Sequence, residues 1–139
     1  VTTNTLGHTA TTEVDPGRGL PLVQTDANGR KTVMEYDALG RMKKVWSPDR
    51  DSLTTTPDAE FEYTVGRDAP VVITNKRLLE DGTYRVSYDF YDGALRLRQT
   101  QNPAMNGGRV VTDTFYDSLG RVWKENGGYY NSASGPVAT

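Results

Sequence analysis

A chain of 139 residues has the length of one ordinary domain, yet only 35% of it is apolar and 24% is charged, so its core must be lean. A formal net charge of −2 lacks the electrostatic footprint of a general nucleic-acid binder. The absence of cysteine excludes disulfides and thiolate zinc sites, and no apolar run is long enough to span a membrane.

Taken in chain order, the sequence reads as short strands separated by turns. Asn4 to His8 has the look of a decayed copy of a unit that becomes clear further on. Asp15-Pro16-Gly17-Arg18-Gly19-Leu20 is a turn by its Asp-Pro-Gly chemistry. Asp26-Ala27-Asn28-Gly29 is another, and Asp15, Asp26 and Asp37 recur at 11-residue steps. Thr32, Met34 and Tyr36 share one strand face and lead into Asp37-Ala38-Leu39-Gly40. There the Asp carboxylate can accept backbone N–H groups just ahead of it, and Gly supplies a positive φ on leaving a type I turn. Lys43-Lys44 is expected to lie on a solvated strand face.

Phe61 to Arg67 keeps Tyr63, Gly66 and Arg67 of the same unit but has lost its Asp. Val71-Val72-Ile73 is a short apolar run, and Glu80-Asp81-Gly82 is a reversal. Thr83 to Tyr91 is the clearest strand, with Tyr84, Val86, Tyr88 and Phe90 alternating with Arg85, Ser87 and Asp89. Leu95 and Leu97 then alternate with Arg96 and Arg98, completing a hairpin with one apolar and one charged face. Asn106-Gly107-Gly108 turns the chain again, Asp117-Ser118-Leu119-Gly120 repeats the turn at Asp37, and residues 127–139 read as a Gly/Ser-rich linker or tail. No window has a period of 3.6, so no long helix is expected.

The string YDALGR at Tyr36 to Arg41 thus returns as YDSLGR at Tyr116 to Arg121, with YDGALR at Tyr91 to Arg96 between them. The anchoring residues Tyr36, Tyr63, Tyr91 and Tyr116 are spaced 27, 28 and 25 residues apart. Recurrence at such a period marks a repeat architecture, whose units bury apolar surface mainly against their neighbours. The fold class is all-β, built of successive antiparallel β-hairpins, and the chain is expected to be a segment of a longer array.

These units resemble the YD repeats of the RHS family, which includes bacterial polymorphic toxins, wall-associated proteins, shell components of Tc insecticidal toxins and the teneurins. The residues that carry the resemblance are Tyr36, Asp37, Gly40, Arg41, Tyr91, Asp92, Tyr116, Asp117, Gly120 and Arg121, within residues 1–126. The resemblance implies a strip of a spiralling β-shell. Its partners would be the remainder of the parent polypeptide and an enclosed cargo domain, in a secreted or cell-surface setting, without nucleic acid, cofactor or membrane insertion. The open edges of such a strip favour self-association. Two copies depart from the pattern: the one at Tyr63 lacks its Asp, and the one at Tyr91 has Gly93 early and no Gly before Arg96. Both turns are expected to differ in geometry from the others.

Candidates for chemistry each meet a simpler reading. Asp15-Pro16 resembles the segment near which RHS shells self-cleave, but the spacing is wider by a residue and further copies follow, so a plain turn is expected. His8 is the sole histidine and has no second base, nucleophile or ligand set near it. Asp49 and Asp51 flank Arg50 without the further oxygens that calcium requires. Glu60 and Glu62 share a strand face, with no cleft for a glycosidase pair. No catalytic or metal residue is assigned. Trp46 and Trp123 are the candidates for stacking on a ligand, against the expectation that strand aromatics pack between neighbouring strands; Tyr129 and Tyr130 are open to either role. A structural segment is the leading reading and a glycan- or protein-binding repeat the alternative.

Overall fold

The alternating stretches punctuated by Asp and Gly become strands and reversals. The computed structural model describes residues 1–3, 7 and 9–133. Among these residues the fold is all-β: β1 (Thr2–Thr3), β2 (Thr9–Val14), β3 (Pro21–Thr25), β4 (Lys31–Tyr36), β5 (Met42–Trp46), β6 (Ala59–Thr64), β7 (Val71–Leu78), β8 (Tyr84–Tyr91), β9 (Leu97–Pro103), β10 (Arg109–Tyr116) and β11 (Val122–Asn131). Asn4, Thr5, Leu6 and His8 of the decayed first copy lie outside the described residues.

The chain divides into two compact units, Val1–Phe61 and Glu62–Thr139. In the first, each strand from β1 to β6 pairs antiparallel with the next. In the second, β7 to β11 do the same. Successive hairpins are therefore the building principle, as the alternation of strand and turn signals predicts. The longest regular pairing joins β7 to β8, from Val71 opposite Tyr91 to Leu78 opposite Tyr84.

The core is as lean as the composition requires. In the first unit Met34 and Trp46 are buried, and in the second Phe90 and Val111. Trp46 is covered by the loop that follows it. Its indole N–H donates to the Thr55 carbonyl at 3.0 Å, while the Asp58 carboxylate accepts the Ser47 N–H at 2.7 Å and ties the loop ends together.

The second unit also buries polar side chains that the sequence suggested would be wetted. Gln99, Gln101, Arg109 and Asp113 all lie out of solvent. Cross-strand registry brings Gln99 opposite Asp113, and its amide donates to that carboxylate at 2.6 Å. The Tyr129 hydroxyl donates to the other Asp113 oxygen at 3.0 Å. Gln101 donates to Gln99 and accepts from Arg109, which also donates to Asn131 at 3.2 Å. Buried polar groups are tolerable only when bonded in this way. Polar residues on a thin sheet can thus build core as well as surface.

Strand β11 corrects the expected tail, because it passes through Gly127 and Gly128 to Asn131. The register slips between Val111 and Asp113 of β10, where Gly127 and Gly128 stand opposite one intervening residue. A Cβ on Gly128 would lie 2.6 Å from the Val110 side chain, so the pair marks a close-packed bulge. Residues 134–139 of the expected tail lie outside the described residues.

Candidate functional site

The repeat motif builds one hairpin loop several times over. In the loops 26–30, 37–41, 79–83, 92–96, 104–108 and 117–121, the first residue's N–H donates to the fifth residue's carbonyl at 2.8–3.1 Å. The fourth N–H donates back to the first carbonyl at 2.9–3.3 Å. This is a type I turn followed by a left-handed residue, the usual three-residue hairpin connection with a bulge. The strand registers slip where expected, at Tyr36 opposite Met42, Tyr91 opposite Leu97 and Tyr116 opposite Val122.

Aspartate organises the loop. One Asp37 carboxylate oxygen accepts the N–H groups of Leu39 and Arg41, both at 2.9 Å, and the other accepts the Arg41 Nε at 2.7 Å. Asp92 does the same with Ala94 at 2.9 Å, Arg96 N at 3.0 Å and Arg96 Nε at 2.9 Å. Asp117 repeats it with Leu119, Arg121 N and Arg121 Nε, all at 2.9 Å. The backbone N–H of the fifth residue is the first cause holding each of these carboxyls below the ordinary 3.8, with the arginine side chain adding to it. The Arg of the motif is thus part of the turn, a role the sequence alone did not reveal. Asp26 keeps the backbone bonds at 2.8 and 2.9 Å, but Arg30 swings away to Asp49 at 3.0 Å.

Gly40 and Gly120 occupy the fourth position with φ of 78° each. The copy at Tyr91 was expected to differ here, and it does not. Leu95 takes the left-handed position at φ 58°, and every backbone bond of the loop is kept. The hydrogen-bonded frame overrides the residue's own preference. The copy at Tyr63 does differ: Gly66 and Arg67 follow β6 in a bend, and Gly66 is not left-handed.

Within each unit, arginines tie one Asp-led loop to the next loop at the same end of the strands. In the first unit the loop at Asp15 is one residue longer, with the Asp15 N–H donating to the Leu20 carbonyl at 2.8 Å. Asp15 accepts the Gly17 N–H at 2.7 Å and the Arg18 side chain at 3.1 Å, so the Asp-Pro-Gly stretch is the plain turn expected. Arg18 also donates to the Asp37 carbonyl at 2.7 Å. In the second unit the Arg96 guanidinium lies 4.5 Å from the centre of the Tyr116 ring, and the Tyr116 hydroxyl donates to the Leu97 carbonyl at 2.7 Å. Arg98 lies 3.8 Å over Phe115 and donates to the Thr114 carbonyl at 3.0 Å.

The other candidates are dispersed. Asp49 holds Arg30, and Asp51 accepts the Leu53 N–H at 2.9 Å and the Thr54 hydroxyl at 3.0 Å inside its own loop. Glu62 is ion-paired with Lys76, and Glu60 lies opposite Lys44 in the ladder. No cluster of acidic or histidine side chains suited to a metal occurs among the described residues. Trp46, at 6% exposure, is closed to ligands and is corrected to a core residue. Trp123 is 63% exposed and meets Phe115 edge-on at 6.0 Å, with Lys124 5.5 Å from the same Phe ring. Tyr129 is taken up by Asp113, and Tyr130 is exposed.

Residues 15–52 match the family model described as RHS Repeat, a stretch that contains the loops at Asp15, Asp26 and Asp37. No curated protein matches the chain.

Proposed function

Because the chain belongs to the RHS/YD-repeat family, we propose that it is a segment of a β-wall that encloses or presents a toxin or effector domain and carries out no catalysis itself. The observation that carries this reading is the use of the motif residues. Tyr, Asp, Gly and Arg are spent on closing hairpins and joining successive ones, as in the tie between Arg96 and Tyr116. Quasi-one-dimensional repeats derive their stability from such neighbour contacts. The setting that fits this role is extracellular or at the cell surface, with the remainder of the parent polypeptide and its cargo as partners. Limited proteolysis of the full-length gene product tests the proposal. A wall leaves the loops at Asp37, Asp92 and Asp117 uncut and protects an enclosed domain. Rapid cutting at those loops, or a neighbouring domain cleaved as fast in place as when isolated, contradicts it.

One observation favours a second reading, a module that binds glycan or protein. Trp123 presents an exposed ring beside Phe115, flanked by Lys124. Aromatic rings with nearby cations are frequent anchors of recognition surfaces. Saturable quenching of Trp123 fluorescence by a ligand, lost in Trp123→Ala, supports this reading; unchanged emission across a glycan panel argues against the glycan form.

A further inference from the structure

We infer that the loop at Asp117 and the outer edge of β11 form a docking site for a separate Tyr-Asp hairpin, with Arg121 as the group that recognises the incoming tyrosine. The inference rests on the wall reading and extends it by naming the chemistry that admits the next hairpin.

Arg96 and Arg121 are equivalent in their own loops. Each donates its Nε to the loop aspartate at 2.9 Å, and each precedes the residue that faces the motif tyrosine across the strand pair, Leu97 or Val122. They differ in what lies beyond. Arg96 is covered by the Tyr116 ring at 4.5 Å, whose hydroxyl donates to the Leu97 carbonyl, and its side chain is 37% exposed. Arg121 is 73% exposed, and the edge of β11 away from β10 pairs with no strand among the described residues. Arg121 and the Val122 carbonyl therefore repeat, at an open edge, the half-site that Arg96 and Leu97 use inside the unit. A strand ending in Tyr-Asp can fill it by laying its ring on the guanidinium and its hydroxyl on the Val122 carbonyl. A second copy of this chain docked through its first loop does not fit, because Val14 stands where the tyrosine is needed.

The test is titration of the isotope-labelled chain with a synthetic peptide of residues 84–103, which carries the Tyr91-Asp92 loop and no tryptophan. Saturable amide shifts confined to residues 117–131 are expected. Arg121→Lys, which keeps a cation for Asp117, and Tyr91→Leu in the peptide should each weaken binding about five- to tenfold, and together no further than either alone. The peptide variant needs no change in the chain, so misfolding of the chain variant cannot decide the result. No saturation at millimolar peptide, shifts outside residues 117–131, or indifference to both substitutions overturns the inference. So does a response that follows self-association of the chain. Binding that ignores both substitutions overturns the arginine latch but leaves the wall reading standing, which the proteolysis of the full-length product decides separately.

Discussion

The Arg96 guanidinium lies 4.5 Å from the ring centre of Tyr116, the motif arginine of one repeat covering the motif tyrosine of the next. Arg96 is held for this contact by Asp92, and Tyr116 by its bond to the Leu97 carbonyl at 2.7 Å. The motif thus has two functions, closing a hairpin within a copy and joining it to its neighbour. Removing only the hydroxyl, in Tyr116→Phe, should cost about 1 kcal/mol in urea unfolding. Tyr116→Leu should cost more, since the ring under Arg96 is lost as well.

The left-handed position of the loop gives a prediction of opposite signs. Leu95 sits at φ 58° and is 70% exposed, so its side chain contributes little burial to offset the strain. Leu95→Gly should stabilise the protein by about 0.5–1 kcal/mol. Gly40→Ala should destabilise it by about 1–2 kcal/mol, since its φ is 78° and the new Cβ would press on Leu20 at 3.3 Å. Chemical denaturation of the two variants checks both signs.

Acid should unfold the protein through its loop carboxylates. Asp37, Asp92 and Asp117 are each held below the ordinary 3.8 in the folded chain, first by the backbone N–H of the residue four positions on. An unfolded chain therefore binds protons that the folded chain does not. This stability is present above the unfolded pKa and is lost as pH falls through the lower folded one. Melting temperature should change little from these groups at neutral pH and fall below about pH 4. Asp92→Asn should flatten the acid limb of the Tm profile; an unchanged limb would rule the carboxylate out as its source.

The two tryptophans should separate cleanly. Trp123 is open to solvent and Trp46 is enclosed, with its N–H on the Thr55 carbonyl. Acrylamide should quench Trp46→Phe strongly, because only Trp123 then emits, and Trp123→Phe weakly. Trp46→Ala should cost about 3–5 kcal/mol as a core deletion.

The loops were legible because their chemistry is local. An aspartate, a glycine three residues later and an arginine after that specify their hydrogen bonds without reference to the rest of the fold. The same local reading failed at Leu95, where backbone bonding and strand pairing impose the conformation that glycine would choose. It also failed wherever burial depends on distant partners. Gln99, Gln101 and Asp113 read as wetted positions, yet cross-strand registry assembles them into a bonded interior. Trp46 is enclosed by a loop whose closure depends on Asp58, and the Gly127-Gly128 bulge reads as a tail until Val110 is known to lie against it. The tie between Arg96 and Tyr116 spans two copies, so no single motif contains it.

The most direct test of the account is a double-mutant cycle on Arg96→Gln and Tyr116→Leu, with stability measured by urea unfolding of the wild type, both single variants and the pair. If the motif joins neighbouring repeats, the two losses should be non-additive, with a coupling of about 1 kcal/mol. Losses that add to within about 0.3 kcal/mol would show that each residue serves only its own hairpin, and would contradict the account.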